Sequence, residues 1–334
     1  MLDLRPVASC EPDTAGGIPE WVYSSDVPVL IRGGVKHWPA IQPASRAEMQ
    51  RYLSDFWTPR PVTAYVGGAD IDGRFFYNED FSGFNFRSGT APLADIFDRL
   101  AEQDDASDPM AIYVGSTPVD QWLPGFRAQN DIKIPADAPL ISFWLGNRTR
   151  VSAHFDYPDN VACVVAGTRR FTLFPPEQIK NLYVGPIDKT PSGQSISLVD
   201  FKYPDLEKYP RFAEAMASGL SCVCEPGDAL FIPSMWWHHV ESLSDFNMLV
   251  NYWWTPPVAG QASPSVALRH AMLAIRELPE RQRAGWKALF EHYVFEADEQ
   301  VYAHIPKPAR GSLAPLDDTA ARRLRAEIIN RLNQ

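Results

Sequence analysis

Between residues 111 and 254 the sequence alternates short apolar runs with turn residues, and this pattern constrains the fold more than any other feature. The clearest turns are Ala166-Gly167-Thr168 and Glu225-Pro226-Gly227-Asp228. Many short strands separated in this way are typical of a β-sandwich or a β-barrel. The predicted strands cover residues 111–115, 140–145, 160–165, 169–174, 220–224, 229–232 and 248–254.

The N-terminal part of the chain adds predicted helices to these strands. Residues 45–56 and 92–100 have apolar side chains at helical spacing. Ser45, with Glu48 three residues later, forms the pattern of a capping box. The N-terminal part is therefore expected to supply mixed α/β elements that extend the barrel.

After Pro256-Pro257 the pattern becomes helical again, with amphipathic segments that begin near residues 264, 280 and 319. Amphipathic helices of this kind either pack on the β core or form a dimer, and the apolar stripes alone do not decide between the two. Together with the family resemblance given below, they favour a homodimer formed through these helices. The predicted division is N-terminal α/β elements (1–110), a β core (111–257) and a C-terminal helical region (258–334).

Composition narrows the class of protein. The 334 residues are 45% hydrophobic and 22% charged, as in an ordinary globular enzyme. The formal net charge of −10 opposes a broad phosphate-binding surface, so nucleic acid is disfavoured as a partner. Residues 1–17 lack the apolar core of a signal peptide, and no stretch approaches the ~20 apolar residues of a membrane helix. We expect a cytoplasmic protein without a membrane partner.

The cysteines do not predict a disulfide framework, because there are only 4 of them in so long a chain. Cys222 and Cys224 are two residues apart on a predicted strand, so they share one face. Small buried side chains are favoured there over metal ligands.

The segment His154-Phe155-Asp156 is the first half of a candidate metal site. On a strand, residues two apart project to the same face, so the imidazole and the carboxylate can share one cation. Asn160 follows at an even offset from His154.

A turn after Asn160 brings in a candidate anion-binding residue. If Gly167-Thr168 is a two-residue hairpin turn, then Ala166 pairs with Arg169 across it. Partners in a pair share a face, so Arg169 is expected on the side of Asn160.

The second half of the candidate site runs from Gly227 through an apolar strand to Trp236-Trp237-His238-His239. Two imidazoles and one carboxylate on one face of a metal form the facial triad of non-haem Fe(II) oxygenases. Each feature alone is weak evidence, since a single His-x-Asp usually belongs to an ion pair or a core contact. Their occurrence together and in this order favours a metal site.

These residues carry a resemblance to a known family, the cupin-8, JmjC-like Fe(II)- and 2-oxoglutarate-dependent hydroxylases. The family's fold is mainly β with helices, built on a double-stranded β-helix (jelly-roll) core. A weaker match lies at Pro28–Gly33 and Trp38-Pro39. The stretches that resemble the family strongly are His154–Asp156, Gly167–Pro176, Gly227–Leu243 and Val250–Trp253.

The resemblance implies Fe(II) held by His154, Asp156 and His238, with no further catalytic residue. His238 is preferred over His239 because it directly follows the double tryptophan, as in the family. His239 is then a supporting or structural residue.

The resemblance also implies 2-oxoglutarate as cosubstrate. Arg169 stands where the family's asparaginyl hydroxylase has a lysine, and its planar fork suits a carboxylate. Asn160, Asn251 and Trp253 match positions that line the family's cosubstrate pocket, and Tyr113 is a candidate for an additional hydroxyl.

For the substrate, Gln194 and Trp237 are the candidate contacts. Within residues 186–200 only Gln194 matches the family's peptide-binding pair, so asparaginyl hydroxylation is not predicted. The implied reaction is hydroxylation of a C–H bond of a protein side chain or a small molecule, with release of succinate and carbon dioxide. Demethylation follows if the carbon is an N-methyl group.

Two other functions fit the same residues. One is a metal-dependent cupin enzyme that does not use 2-oxoglutarate, which would not need a cation at Arg169. The other is a non-catalytic cupin binding module, which would not need an intact set of metal ligands.

Overall fold

The computed structural model describes residues 4–14, 16–191, 193–256 and 262–333. The chain divides into two compact units, Met1–Thr255 and Pro256–Gln334. The strands belong to the first unit, and the described part of the second is helical. Residue 258, the predicted start of the helical region, lies outside the described residues.

The strands of the first unit reproduce the predicted runs and extend several of them. In chain order they are β1 (Arg5–Pro6), β2 (Ala8–Cys10), β3 (Val29–Ile31), β4 (Val62–Gly67), β5 (Arg74–Phe75), β6 (Arg87–Ala91), β7 (Ala111–Pro118), β8 (Leu140–Gly146), β9 (Arg150–Phe155), β10 (Asp159–Ala166), β11 (Arg169–Phe174), β12 (Leu220–Cys224), β13 (Ala229–Ile232), β14 (Trp237–Ser242) and β15 (Asn247–Trp254).

Five helices begin at or next to the predicted positions, whereas α3, α4 and α7 are not predicted from the sequence. Ser45 caps the first one, and its hydroxyl accepts a hydrogen bond from the Glu48 amide at 3.2 Å. The α-helices are α1 (Arg46–Ser54), α2 (Leu93–Glu102), α3 (Val119–Trp122), α4 (Phe212–Ser218), α5 (Pro264–Ile275), α6 (Glu280–Phe290), α7 (Gln300–Ala303) and α8 (Asp318–Leu332).

Two mixed sheets form the first unit. One has the strand order β1-β12-β11-β14-β9-β5, and the other has the order β2-β3-β13-β10-β15-β8-β7-β4-β6. Buried side chains from both sheets meet in one cluster, with Phe171 and Leu173 from the first and Leu230 and Leu249 from the second. The predicted mainly-β fold with a jelly-roll core is therefore confirmed, although the described strands do not close into a barrel.

The predicted hairpin at Gly167-Thr168 is wrong. β10 pairs with β13 and β15, whereas β11 pairs with β12 and β14, so the turn carries the chain from one sheet to the other. Gly167 has φ +69°, and a Cβ there would lie 2.3 Å from the Phe246 carbonyl oxygen. Only glycine allows this close crossing.

Most of the N-terminal strands join the second sheet, whereas β1 and β5 pair with β12 and β9 of the first. β3 pairs with β13, and β4 with β6 continues the sheet beyond β7. Asp228 links this region to the core, because its carboxylate accepts hydrogen bonds from Arg32 at 2.7 Å and from the Gly33 and Glu225 amides at 2.9 and 3.0 Å.

The sheet face carrying Cys222 and Cys224 agrees with the prediction for these residues. Their sulfur atoms lie 3.8 Å apart on β12, among apolar side chains of the core.

The second unit consists of helices α5 to α8 with short connections. Many of its large apolar side chains are exposed, including Leu273 at 81% and Phe295 at 76%. Within the described residues, every helix is too short or too polar to cross a lipid bilayer.

Candidate metal centre

His154, Asp156 and His238 meet at the end of two neighbouring strands. His154 on β9 is paired directly with His238 on β14, so their imidazoles lie side by side with ring centres 4.3 Å apart. The Nε2 atom of His238 is 3.6 Å from an Asp156 carboxylate oxygen. One ligand atom from each residue lies within 4.8 Å of the other two, so the three can share a single metal ion.

Backbone carbonyls fix the orientation of both imidazoles. The Nδ1 atoms of His154 and His238 lie 3.0 Å from the carbonyl oxygens of Ser152 and Trp236. A carbonyl only accepts, so each Nδ1 carries the hydrogen and each Nε2 lone pair is free for a metal. Burial, and then the neighbouring His154, lower the pKa of His238 to about 4. The imidazole is therefore neutral at physiological pH, as a metal ligand must be.

The second sheet supports these ligands from across the interior. The indole N–H of Trp253 on β15 donates to the Asp156 carboxylate at 3.0 Å. Asn251, two residues earlier, accepts from Trp144 at 2.8 Å and donates to Asn160 at 3.3 Å. Such supporting hydrogen bonds hold a ligand in one orientation and raise its affinity for metal.

Arg169 is a buried cation whose side chain faces the same space. It is 3% exposed, and burial lowers its pKa to about 10, so it remains charged at neutral pH. Its Nε–H has no hydrogen-bond partner among the described residues. A buried guanidinium with an unpaired N–H lowers the stability of the fold unless an anion accepts that hydrogen bond. Arg169 therefore indicates an anion-binding position.

These residues line one cavity of about 460 Å³, within the range of small-molecule sites. The predicted site residues that it brings together are His154, Asp156, His238, Arg169, Asn160, Asn251, Tyr113 and Trp253. The Tyr113 ring stacks on Trp144 with ring centres 5.8 Å apart. Burial raises the pKa of Tyr113, so its hydroxyl stays protonated.

The structure does not bring Trp237 to this cavity, in contrast to its prediction as a substrate contact. Adjacent residues on a strand point to opposite faces, so His238 faces the cavity and Trp237 faces the other side of the sheet. Trp237 is buried there against Phe155, with ring centres 5.0 Å apart. His239 is buried on the same side as Trp237, with its ring 4.8 Å from that of Phe201.

Gln194, the other predicted substrate contact, is half-buried beside the cavity without lining it. Its neighbours Pro191, Gly193 and Ile196 do line the cavity. The segment around Gln194 therefore reaches the cavity as predicted, but Gln194 itself does not line it.

Sequence reasoning missed one wall of the cavity altogether. Thr63 and Tyr65 on β4, Phe75 on β5 and Phe86 before β6 form it. The available signal was the alternation of residues 63 and 65 on one strand face and the density of aromatic residues between 75 and 86.

The donor set fits a divalent transition metal with open coordination positions. Two imidazoles and one carboxylate provide three ligands, whereas a structural zinc site usually has four, often with sulfur. Arg169 and the cavity beside the ligands provide room and charge for a small carboxylic acid.

Comparison with known proteins places this geometry in a family. The sequence pattern of the family described as "Cupin-like domain" (Cupin_8) matches residues 17–260. The chain is 30% identical over 237 residues to human tRNA wybutosine-synthesizing protein 5, covering 61% of this chain and 72% of that protein. It is 27% identical over 271 residues to the human bifunctional peptidase and (3S)-lysyl hydroxylase JMJD7, covering 70% and 79%.

Other relatives are longer than the matched region. The Arabidopsis thaliana lysine-specific demethylase JMJ31 is 36% identical over 132 residues, which are 38% of this chain and 24% of that protein. Lysine-specific demethylase 8 of Xenopus tropicalis is 27% identical over 235 residues, which cover 68% and 48%. The chain thus spans less than half the length of these two relatives. From the matched residues and the jelly-roll core around a His-Asp-His cluster, the chain belongs to the cupin-like domain family.

Proposed function

We propose that this protein is an Fe(II)- and 2-oxoglutarate-dependent oxygenase that hydroxylates a C–H bond and releases succinate and carbon dioxide. The observation that carries the proposal is the presence, in one cavity, of a facial His-Asp-His set and a buried arginine with a free N–H. Relatives of this chain are named as a lysyl hydroxylase and as lysine-specific demethylases, and these names support an oxidative reaction of this kind.

Each residue has a role in this proposal. His154, Asp156 and His238 would hold the metal, which together with 2-oxoglutarate supplies the oxidising chemistry when bound. Arg169 pairs with the distal carboxylate of the cosubstrate, a charge-assisted contact that its planar fork favours.

The remaining residues position these groups. Trp253 holds the Asp156 carboxylate, and the Asn160–Asn251 pair fixes the opposite wall. The Tyr113 hydroxyl, kept protonated by burial, is available as a hydrogen-bond donor to the cosubstrate. The protein thus contributes binding, orientation and exclusion of water.

Anaerobic titration of Fe(II) and 2-oxoglutarate into the purified protein tests this function. We expect the weak visible charge-transfer band of a metal-chelated keto acid, at one iron per chain. The band should be absent in His154→Ala and His238→Ala and intact in His37→Ala, which alters an exposed histidine outside the cavity.

The opposite results distinguish the alternatives. Bound metal without the band would favour a cupin enzyme that does not use 2-oxoglutarate. A protein that binds no iron under these conditions would favour a non-catalytic binding module.

A further inference from the structure

Part of the cavity lining is apolar and aromatic, and the space that these residues line is called the compartment below. Its lining includes the wall formed by Thr63, Tyr65, Phe75 and Phe86. It also includes Pro191 and Ile196 from the segment after β11. The metal ligands line the same cavity, so a substrate group in the compartment shares that cavity with the metal position.

The charged residues that line this cavity already have other roles in the proposed function. Among the described residues of its lining, Asp156 is the single carboxylate and Arg169 the single guanidinium, and lysine is missing. Asp156 is a metal ligand and Arg169 the anchor of the cosubstrate. A substrate ammonium or guanidinium would therefore enter without a carboxylate partner, and an unpaired charge is disfavoured in such surroundings.

The aromatic wall does not offset this loss as a cage would. Phe86 contacts Tyr65 and Phe75 edge to face, with ring centres 5.6 and 5.3 Å apart. Because Phe86 contacts both of the other rings, the three form a packed wall and not the separated rings of a cation cage. A cage that surrounds a cation needs free ring faces turned toward one gap.

A positive charge near this wall is also unfavourable to a cation. Phe84 stacks on Phe86 of the wall, with ring centres 5.1 Å apart. The Lys189 ammonium lies 5.9 Å from the centre of the Phe84 ring. The Lys189 ammonium would repel a positively charged substrate group that approaches this part of the wall.

We propose that the compartment is the subsite for an uncharged, apolar side chain of a polypeptide, which it presents to the metal position; this rests on the proposed oxygenase function. Lysine and arginine side chains are disfavoured because the described part of the lining has no carboxylate besides Asp156. A polypeptide is favoured over a nucleic acid because the chain carries a net charge of −10, which repels a polyanion.

Peptide pools test this specificity. Each pool carries leucine, phenylalanine, asparagine, lysine or arginine at one central position between randomised flanks, and bulk transfer RNA is a separate sample. Binding is read anaerobically as a change in the charge-transfer band of the protein loaded with Fe(II) and 2-oxoglutarate. Modification is read in air as a gain of one oxygen atom, located by tandem mass spectrometry.

We expect the leucine and phenylalanine pools to exceed the lysine and arginine pools at least tenfold in both readings. Equal or stronger response to lysine or arginine would overturn the proposal, as would a response to transfer RNA alone or to none of the samples. A protein that shows no band before any peptide is added contradicts the proposed function instead.

A designed charge gives a second, independent test. Thr63→Asp introduces a carboxylate at an exposed position of the wall. We expect it to raise the band response to the lysine pool roughly twofold to fivefold relative to the wild-type protein, the effect of one exposed ion pair. Thr58→Asp adds the same charge outside the cavity lining and should leave the response unchanged. Equal responses of the two variants would contradict the proposed subsite.

Discussion

At the scale of single residues, β11 presents two neighbouring arginines to opposite environments. Arg169 faces the cavity with a free Nε–H, whereas Arg170 faces outward and pairs with Glu241 at 2.9 Å. The two side chains have the same charge, so the direction in which each points decides its role. This pair offers a matched comparison for the cosubstrate site.

Arg169→Ala should raise the 2-oxoglutarate concentration for half-maximal charge-transfer absorbance by roughly tenfold to a hundredfold, the value of one charge-assisted hydrogen bond. Arg170→Ala should leave that concentration unchanged. An anaerobic titration of each variant at saturating Fe(II) gives the measurement. Equal curves for the wild-type protein and Arg169→Ala would remove Arg169 from the cosubstrate site.

Trp253→Phe should weaken Fe(II) binding by roughly tenfold to a hundredfold, because the Asp156 carboxylate loses its indole N–H donor. Competition with a metal chelator measures the change. Trp254→Phe is the control, since Trp254 points to the other face of β15 and packs in the apolar core. An unchanged affinity in Trp253→Phe would show that Asp156 does not need this support.

Much of the metal cluster could be predicted because its spacing is local. The offset of two residues between His154 and Asp156 fixes a shared face on any strand. The position of Trp237 on the opposite side of the sheet follows from the same alternation once His238 is taken as a ligand. The alternation of residues 63 and 65 indicates a strand face, but its place beside the metal cluster could not be predicted, because Tyr65 and Phe86 reach the site from elements far away in sequence.

At the scale of elements, a network of ion pairs connects strands β5 and β9 of the first sheet to two aspartates outside the strands, Asp72 and Asp200. The buried Arg150 guanidinium on β9 bonds Asp200 at 2.7 Å and Asp72 at 3.0 Å. Arg74 on β5 lies 3.5 Å from Asp200 as well. Burial alone would raise the pKa of Asp200, but Arg74 and Arg150 together hold it below its usual value.

Asp200→Asn should lower the free energy of unfolding by about 2 kcal/mol at neutral pH, because Arg150 loses a charged partner in a partly buried position. The lowered pKa means that this stabilisation is present above the pKa of an unfolded aspartate, about 3.9, and is lost as the pH falls through the lower folded value. Urea unfolding at several pH values should therefore show the difference from wild type closing in acid.

Asp55→Asn, an exposed position at the C-terminal end of α1, is the control and should match the wild-type protein throughout. A difference for Asp200→Asn that persists unchanged into acid would contradict the assignment of its effect to the carboxylate charge.

The elements themselves were largely predictable, and the connection between them was not. Apolar periodicity located the helices and strands, since burial of one face imposes it. The turn residues at Gly167 predict a hairpin, because the same residues serve a hairpin and a crossing between sheets. Which sheet receives the next strand depends on long-range pairing that local turn chemistry does not encode.

At the scale of the whole molecule, the homodimer remains a prediction. The second unit exposes apolar side chains on α5 and α6, with Val266 at 64% and Leu268 at 57%. Exposed apolar surface of this kind favours association in water. Sedimentation velocity at micromolar concentration should give a mass of about twice 37.5 kDa. A monomer under these conditions would contradict the prediction.

The two sheets contribute differently to the cavity. The first carries the metal ligands and Arg169, while β4, the residues before β6, and β7 of the second supply most of the wall that a substrate meets. Under the proposed function, the residues that would bind metal and cosubstrate and most of the residues that would meet substrate lie in separate stretches of the chain. Substitutions in residues 63–86 are then expected to change substrate selectivity and to leave the metal ligands intact, since function resides in a site that can vary on a constant fold.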